Sequence, residues 1–253
     1  DPGFDPHEIM VSEAHYAGLK IEAWINPYRI KGTSDTGKIA KSSPAYEWLD
    51  TGKVIVLDNG IYYNPADEEV IELIVSGVEE VVSNYDVDGI HFDDYFYPTT
   101  DKSFDEKSYK SYCSAGGNLD LKQWRTENVN ALVASLYSLV HQYKDKVFSI
   151  SPAADIDKNI NEYYADVKLW MRSEGFADII IPQIYFGFKN EKMRFEKVAD
   201  EWGALKRNDS VRLICGLALY KYGKEDEFAG SGKNEWLTDK DIIVRQKEYI
   251  CTK

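Results

Sequence analysis

The sequence predicts an α/β fold of the (β/α)8 TIM-barrel type, and three observations carry that expectation. Helix-patterned segments alternate with short β-rich runs along the chain, the order that builds a parallel sheet covered by helices. The runs are nearly continuous in apolar residues, as strands covered on both faces are. The long insertions, 27–66, 94–120, 153–162, 186–191 and 220–237, all follow the C-terminal ends of runs, which is where an α/β barrel places its chemistry. A doubly wound sheet is the rival, but the first strand–helix turn lacks G-x-G-x-x-G and no Walker motif occurs.

Each element has a local reason. Residues 5–18 read as an amphipathic helix stopped at Gly18. KIEAWIN (20–26) reads as a strand closed by Pro27, and 31–53 as a polar loop rich in Gly, Ser and Lys. VIVLDNGIYYN (54–64) contains the Asn59-Gly60 turn signal of a hairpin. Asp67 then caps a helix in which Val70, Leu73, Ile74, Val78, Val81 and Val82 recur at helical spacing. Asp88-Gly89 opens the strand IHFDDYF, and 98–120 is polar and irregular. A helix over 121–143 presents Leu132, Val133, Leu136, Leu139 and Val140 on one face. There follow VFSISP (147–152), a helix near 163–174, IIIPQIYF (179–186), a helix near 192–206, RLICGLALY (212–220) and a helix near 238–251.

That count gives five parallel strands where a closed barrel has eight. The expectation is a single barrel domain over 1–253 that lacks strands at both ends. The alternative is an open partial barrel completed by a partner.

Composition narrows the function classes. The 253 residues are 43% hydrophobic, enough for a core. The net charge of -13 disfavours nucleic acid as a partner, and strongly anionic polymers too unless a local basic patch exists; no basic run occurs. No run approaches the roughly 18 apolar residues of a membrane span. No leader pattern is visible, and a helix pattern starts almost at residue 1, which suits a processed or trimmed start. Cys113, Cys215 and Cys251 lack metal-ligand spacing; an odd count argues against a disulfide framework, and Cys215 reads as a buried thiol. The 18 Tyr, 10 Phe and 6 Trp fit a core, and equally a carbohydrate site that stacks rings on sugar C–H surfaces.

The chemistry concentrates in GIHFDDYFYP (89–98). Alternation along a strand turns Ile90 and Phe92 toward the helices, and His91 and Asp93 toward the barrel interior. Asp94 has the opposite parity, where the strand ends. Hydrolysis of a glycosidic bond needs two carboxyl groups, one of them an acid with a raised pKa, and Asp93 is the well-placed candidate. The competing reading has Asp93 paired with a buried Arg or Lys, stiffening the barrel. Other strand ends converge on the same mouth: Trp24, Asn26, Tyr28 and Arg29 in AWINPYR, Asn64, Tyr95, Asp155 in SPAAD, Gln183 and Tyr185 in PQIYF, and Lys221. Glu22 shares the face of Trp24 and Asn26. No metal or other cofactor is expected, because His is scarce and absent from the neighbouring strand ends.

AWINPYRI, YYNPADEEV, YDVDGIHFDDYFYP, QWRTENVN, SISPAAD, IIIPQIYFGFKN and GLALYKYG, in that order, resemble the glycosyl hydrolase-like 10 family of bacterial barrels over nearly the whole chain. The resemblance implies that the first two barrel strands precede residue 1 and the last follows residue 253. It implies an O-glycosyl hydrolase acting on a polysaccharide, with a bacterial cell-wall glycan the nearest substrate class. It also implies an extracellular or envelope location, since KNEWLTDKDI is similar to secreted proteins of Gram-positive bacteria. Related retaining barrels carry G-φ-R-φ-D at the fourth strand, and GIHFD puts Asp93 at the acid and His91 at the Arg. One departure is SPAAD, where a small residue followed by Asn or an apolar residue is expected. Asp94 therefore ranks second and Asp155 third as the partner acid. A barrel that holds glycan without cleaving it is the alternative function.

Overall fold

Five parallel strands form the central sheet of the computed structural model, which describes residues 3–252. In chain order the elements are α1 (Pro6–Tyr16), β1 (Glu22–Ile25), β2 (Arg29–Lys31), α2 (Pro44–Glu47), β3 (Val54–Leu57), β4 (Gly60–Tyr63), α3 (Glu68–Asn84), β5 (Gly89–Phe92), α4 (Glu106–Ser114), α5 (Leu121–Val140), β6 (Val147–Ile150), α6 (Ile156–Asn161), α7 (Val167–Arg172), β7 (Ile179–Ile180), α8 (Phe195–Gly203), β8 (Arg212–Leu213), α9 (Glu235–Thr238) and α10 (Ile242–Cys251). The sheet order is β1-β5-β6-β7-β8, parallel throughout. The strands thus lie side by side in chain order with helices between them, the barrel-type α/β architecture expected from the sequence.

The helices that cover the sheet form for the reasons their patterns give. Asp67 caps α3 by accepting from the backbone N–H groups of Glu69 and Val70. Val70, Ile74, Val78 and Val82, every fourth residue, are its buried face. A capping box between Asp120 and Gln123 starts α5, and the face expected from spacing (Leu132, Val133, Leu136, Leu139, Val140) is buried throughout. Ile90 and Phe92 turn outward into this layer with no exposed surface, and Phe92 meets Phe148 edge-on at 5.3 Å.

A second, antiparallel sheet of order β2-β4-β3 fills the insertion after β1. The hairpin expected at 54–64 is there, with a correction to its turn. Asp58 and Asn59 make the turn, and Gly60 already pairs with Leu57. Gly60 is needed because a Cβ there would lie 2.6 Å from the Lys31 carbonyl oxygen of β2. The strand β2 was not foreseen, since it pairs only with the inserted hairpin. Several segments read as loop also hold helix: α2 in 31–53, α4 in 98–120 and α6 in 153–162. The helix expected near 163–174 starts only at Val167, after Tyr164 takes a left-handed backbone (φ 55). Among the described residues no helix is long and apolar enough to cross a membrane.

One position ties the sheet directly to the acid pair. A Cβ on Gly89 would sit 2.3 Å from the Val147 carbonyl oxygen on the neighbouring strand β6. Backbone cannot yield as a side-chain tip does, so Gly89→Ala must part β5 from β6. We expect a loss of about 1–3 kcal/mol, read as a lower urea midpoint; an unchanged midpoint would refute the packing argument.

Candidate active site

The interior row of the sheet is set by register. Trp24 of β1 is level with His91 of β5, and His91 with Ser149 of β6. Alternation then puts Glu22 and Asp93 on the same face, one step before Trp24 and one step after His91.

Asp93 is almost fully buried at 5% exposure. Its Oδ1 accepts from the Tyr95 backbone N–H at 3.1 Å and its Oδ2 from the Trp24 indole N–H at 3.2 Å. Burial pushes its pKa above the ordinary carboxylate value; the Tyr95 N–H opposes that, the Asp94 charge reinforces it, and Trp24 and Arg29 oppose it. No cation pairs with Asp93 among the described residues. The buried ion pair expected under the competing reading belongs instead to Asp105 and Arg125, at 2.5 Å.

Asp94 is half-buried and turns the other way. Its side chain is hydrogen-bonded to Gln183, beyond β7, and its pKa is also raised by burial, against the Gln183 bond and the charges of Lys158 and Arg29. Consecutive residues therefore anchor their carboxyls on opposite sides of β5, one toward β1 and one toward β7. The Gln183 amide also donates to the Ser151 carbonyl at 2.9 Å, which fixes its orientation. Tyr185 meets Tyr220 edge-on at 5.9 Å, and its phenol pKa is raised by burial, then by Tyr220, Asp94 and Asp93. Both acids therefore lie near that ring.

Around the acids stand exposed rings. Trp24 is 70% exposed, Tyr220 60% and Tyr95 42%, high values for rings flanking a buried carboxylate. Arg29 lies over the Tyr95 ring with its Cζ 3.7 Å from the centroid. Asn26 turns the chain between Trp24 and Arg29 by accepting from the Arg29 backbone N–H at 3.2 Å.

Below the acids runs a chain that the sequence did not single out: Glu22–Ser149–His91. The Ser149 hydroxyl donates to Glu22 in a very short bond and meets His91 Nδ1 at 2.6 Å. With its one proton given to Glu22, Ser149 accepts from Nδ1–H, so Nε2 carries the lone pair. Burial lowers the His91 pKa, favouring the neutral ring. His91 packs edge-on against Trp24 at 6.1 Å, so the chain supports the indole that holds Asp93. Glu22 was legible in principle, since it lies two residues before Trp24, a named site candidate on its own strand; Ser149 had no such signal.

Four expected site residues are placed elsewhere. Tyr28 has no exposed surface and sits in the core, its hydroxyl without a partner among the described residues and its pKa pushed far up by burial; apolar packing claims a ring expected at the mouth from its place at a strand end. Asn64 is 2% exposed and braces loops, donating to the Gly52 carbonyl and the Ser108 hydroxyl and accepting from Ala66 N–H. Asp155 caps α6 by accepting from Lys158 N–H at 3.0 Å. Lys221 pairs with the buried Asp226 at 2.8 Å. The structure thus brings Trp24, Arg29, His91, Asp93, Asp94, Tyr95, Gln183 and Tyr185 together, and commits Tyr28, Asn64, Asp155 and Lys221, and also Asn26, whose side chain accepts from the Arg29 backbone N–H, to local bonds or to the core. Cys215 is partly buried, and burial pushes its thiol up to about 12. Among the described residues no group of three or more His, Cys, Asp and Glu side chains is arranged to hold a metal ion.

Comparison with known proteins bears on the family and on the fold. A family model described as glycosyl hydrolase-like 10 matches residues 1–230. The chain is 36% identical over 271 residues to the glycosyl hydrolase YngK of Bacillus subtilis, covering 99% of this chain and 52% of that protein. It is 34% identical over 279 residues to the glycosyl hydrolase DigH of Escherichia coli K12, covering 98% and 60%. The chain therefore spans between half and three-fifths of these relatives' length. In fold it is similar to the glycoside hydrolase domain of PgaB from Bordetella bronchiseptica, with a TM-score of 0.58 at 13% identity, covering 99% of this chain and 72% of that one.

Proposed function

The chain belongs to the glycosyl hydrolase-like 10 family, and from that premise we propose that it hydrolyses O-glycosidic bonds of a polysaccharide at the mouth around Asp93 and Asp94. The observation that carries the reading is the divergence of two consecutive carboxyls, each with a raised pKa, one held by Trp24 and the other by Gln183. Glycoside hydrolysis divides its work between two such groups. Asp93, with N–H donors on both oxygens, is suited to act ionised, as nucleophile or base. Asp94, half-buried with its pKa raised, is suited to hold and deliver the proton to the leaving oxygen. Trp24, Tyr95 and Tyr185 would grip sugar rings, and His91 Nε2 would accept from a sugar hydroxyl.

The substrate we assign is a bacterial cell-wall glycan strand, which places the protein outside the cell or in its envelope. Support comes from the family resemblance and from the open, ring-lined mouth. The test is incubation of the full-length protein with peptide-free cell-wall glycan, followed by titration of new reducing ends. Glycan bound with no new reducing ends would instead favour a non-catalytic carbohydrate-binding barrel.

The Trp24 bond gives a signed prediction. The indole N–H favours ionised Asp93, so Trp24→Phe removes a pKa-lowering partner and raises the Asp93 pKa further. If Asp93 works ionised, the acid limb of kcat/KM moves to higher pH in Trp24→Phe. An unmoved limb would separate that limb from Asp93.

A further inference from the structure

Arg29 is the feature of the mouth that hydrolysis itself leaves unused. The residue is half-buried, its guanidinium Cζ lies over the Tyr95 ring 3.7 Å from the centroid, and the guanidinium has no hydrogen-bond or ion-pair partner among the described residues; the bond to Asn26 is made by the Arg29 backbone N–H. A guanidinium carries five N–H donors in one plane. With one face against a ring, it presents its edge, the fork that meets a carboxylate through two parallel bonds. Other arginines show what this chain does when such a fork serves the fold: Arg125 is satisfied by Asp105, Tyr164 and the Asp101 carbonyl, and Arg245 by Asp239.

The position of Arg29 matters as much as its freedom. Its charge reaches both Asp93 and Asp94, lowering the pKa of each against the effect of burial. The neighbouring cation is engaged, because Lys158 is hydrogen-bonded to Tyr163. The net charge of -13 repels an anionic glycan from most of the surface, and no basic run offsets it. Folding places Arg29 and Lys158, 129 residues apart in sequence, near one carboxyl, so a local cationic spot forms that no run could reveal. Because both acids have raised pKa values, they oppose an incoming anion less in mildly acidic conditions than ordinary carboxylates do.

We propose that Arg29 is the specificity residue of this mouth and selects glycans that carry a carboxylate on the sugar bound beside Asp93 and Asp94. The inference rests on the hydrolase reading above and adds to it the charge of the substrate. Two sugar chemistries supply that group: a uronic acid, with the carboxylate on the ring, and an ether-linked lactyl group on an amino sugar. Both offer the same planar acceptor to the fork.

The experiment compares kcat/KM on four oligosaccharides with the full-length protein: a uronate glycan, a lactyl-ether glycan, and each after reduction of its carboxyl to an alcohol. The expected result is a preference for at least one carboxylated glycan over its reduced form by about tenfold or more, the scale of charge-assisted bonds. Which pair shows it names the source. Arg29→Gln should collapse that ratio toward one, and Arg29→Lys, which keeps the charge but loses the fork, should retain part of it. A wild-type ratio near one for both pairs overturns the proposal, and so does a ratio that survives in both variants. Should Arg29→Gln fail to fold, Arg29→Lys decides alone: a reduced ratio supports the proposal and a full ratio overturns it. If none of the four is cleaved, the hydrolase reading fails, and calorimetric binding of the same pairs settles Arg29 separately. A binding preference that falls in the variants keeps the assignment, whereas equal or absent binding removes it.

Discussion

Asp93→Asn is expected to lower glycan turnover by about 10²–10⁴-fold, the range for a group that moves a proton or bonds to the reacting centre, while leaving the fold intact. The amide keeps the volume and can still accept from the Trp24 indole through its oxygen, so the indole, the His91 ring behind it and the strand should stay in place, while its NH2 replaces the oxygen that accepted from the Tyr95 N–H and that one bond is lost. What disappears is a charge that burial resists. Asp93 has a raised pKa in the folded state, so its contribution to stability is present below the unfolded pKa and is lost as pH rises through the folded value. The Asn variant escapes that loss. Even with the Tyr95 bond lost, the variant should therefore melt close to or above the wild-type temperature at neutral pH, and its melting temperature relative to wild type should fall as the buffer is made acidic. Lower turnover with an equal or higher melting temperature assigns Asp93 to chemistry; undiminished turnover removes it. Lower turnover with early melting would mean that Asp93 serves the fold.

The same strand shows how far a sequence carries. Parity alone separated Ile90 and Phe92 from His91 and Asp93, because a strand has a period of two and this one is buried on its helix side. The face of α5 was legible for the corresponding reason, a helical period sustained from Leu132 to Val140, about two and a half turns. The row Trp24–His91–Ser149 was not, because it depends on register between strands that are 67 and 58 residues apart in sequence, and no pattern within one strand sets the offset of its neighbour. Tyr28 and Asn64 looked like mouth residues because each sits at a strand end. Packing decided otherwise: the chain after Asn26 turns into the inserted sheet, which carries Tyr28 into the core, and Asn64 faces the loop carbonyls it satisfies. Arg29 was legible at its strand end but its cationic partner Lys158 was not, because no run of charge marks the spot and a barrel mouth assembles charge from separate strand ends.

The second large effect concerns the loop that begins at Tyr95. Arg125 has no exposed surface. Its Nε donates to Asp105 at 2.9 Å, its Nη1 to the Tyr164 hydroxyl at 3.0 Å, and its Nη2 to the Asp101 carbonyl at 2.6 Å and to Asp105 at 2.5 Å. The rings of Tyr97 and Tyr164 lie 5.2 and 5.1 Å from its Cζ. One side chain on α5 thus holds the 94–120 insertion, which starts at the acid pair, to the left-handed turn at Tyr164. Asp105→Ala leaves a buried guanidinium without its counter-charge and should cost about 3–5 kcal/mol. Adding Arg125→Met removes the stranded charge, so the double variant should recover part of the loss. It should not recover all of it, because the bonds to Tyr164 and to the Asp101 carbonyl are gone as well. Urea unfolding of wild type, both single variants and the double variant gives the coupling energy directly. Hydrogen exchange should report the damage first across residues 95–110, and glycan turnover should fall with it, since Tyr95 both donates to Asp93 and carries Arg29. A double variant as unstable as Asp105→Ala would show that the loss comes from packing around Asp105 rather than from an unpaired charge, and full activity in a loosened loop would separate the insertion from the site.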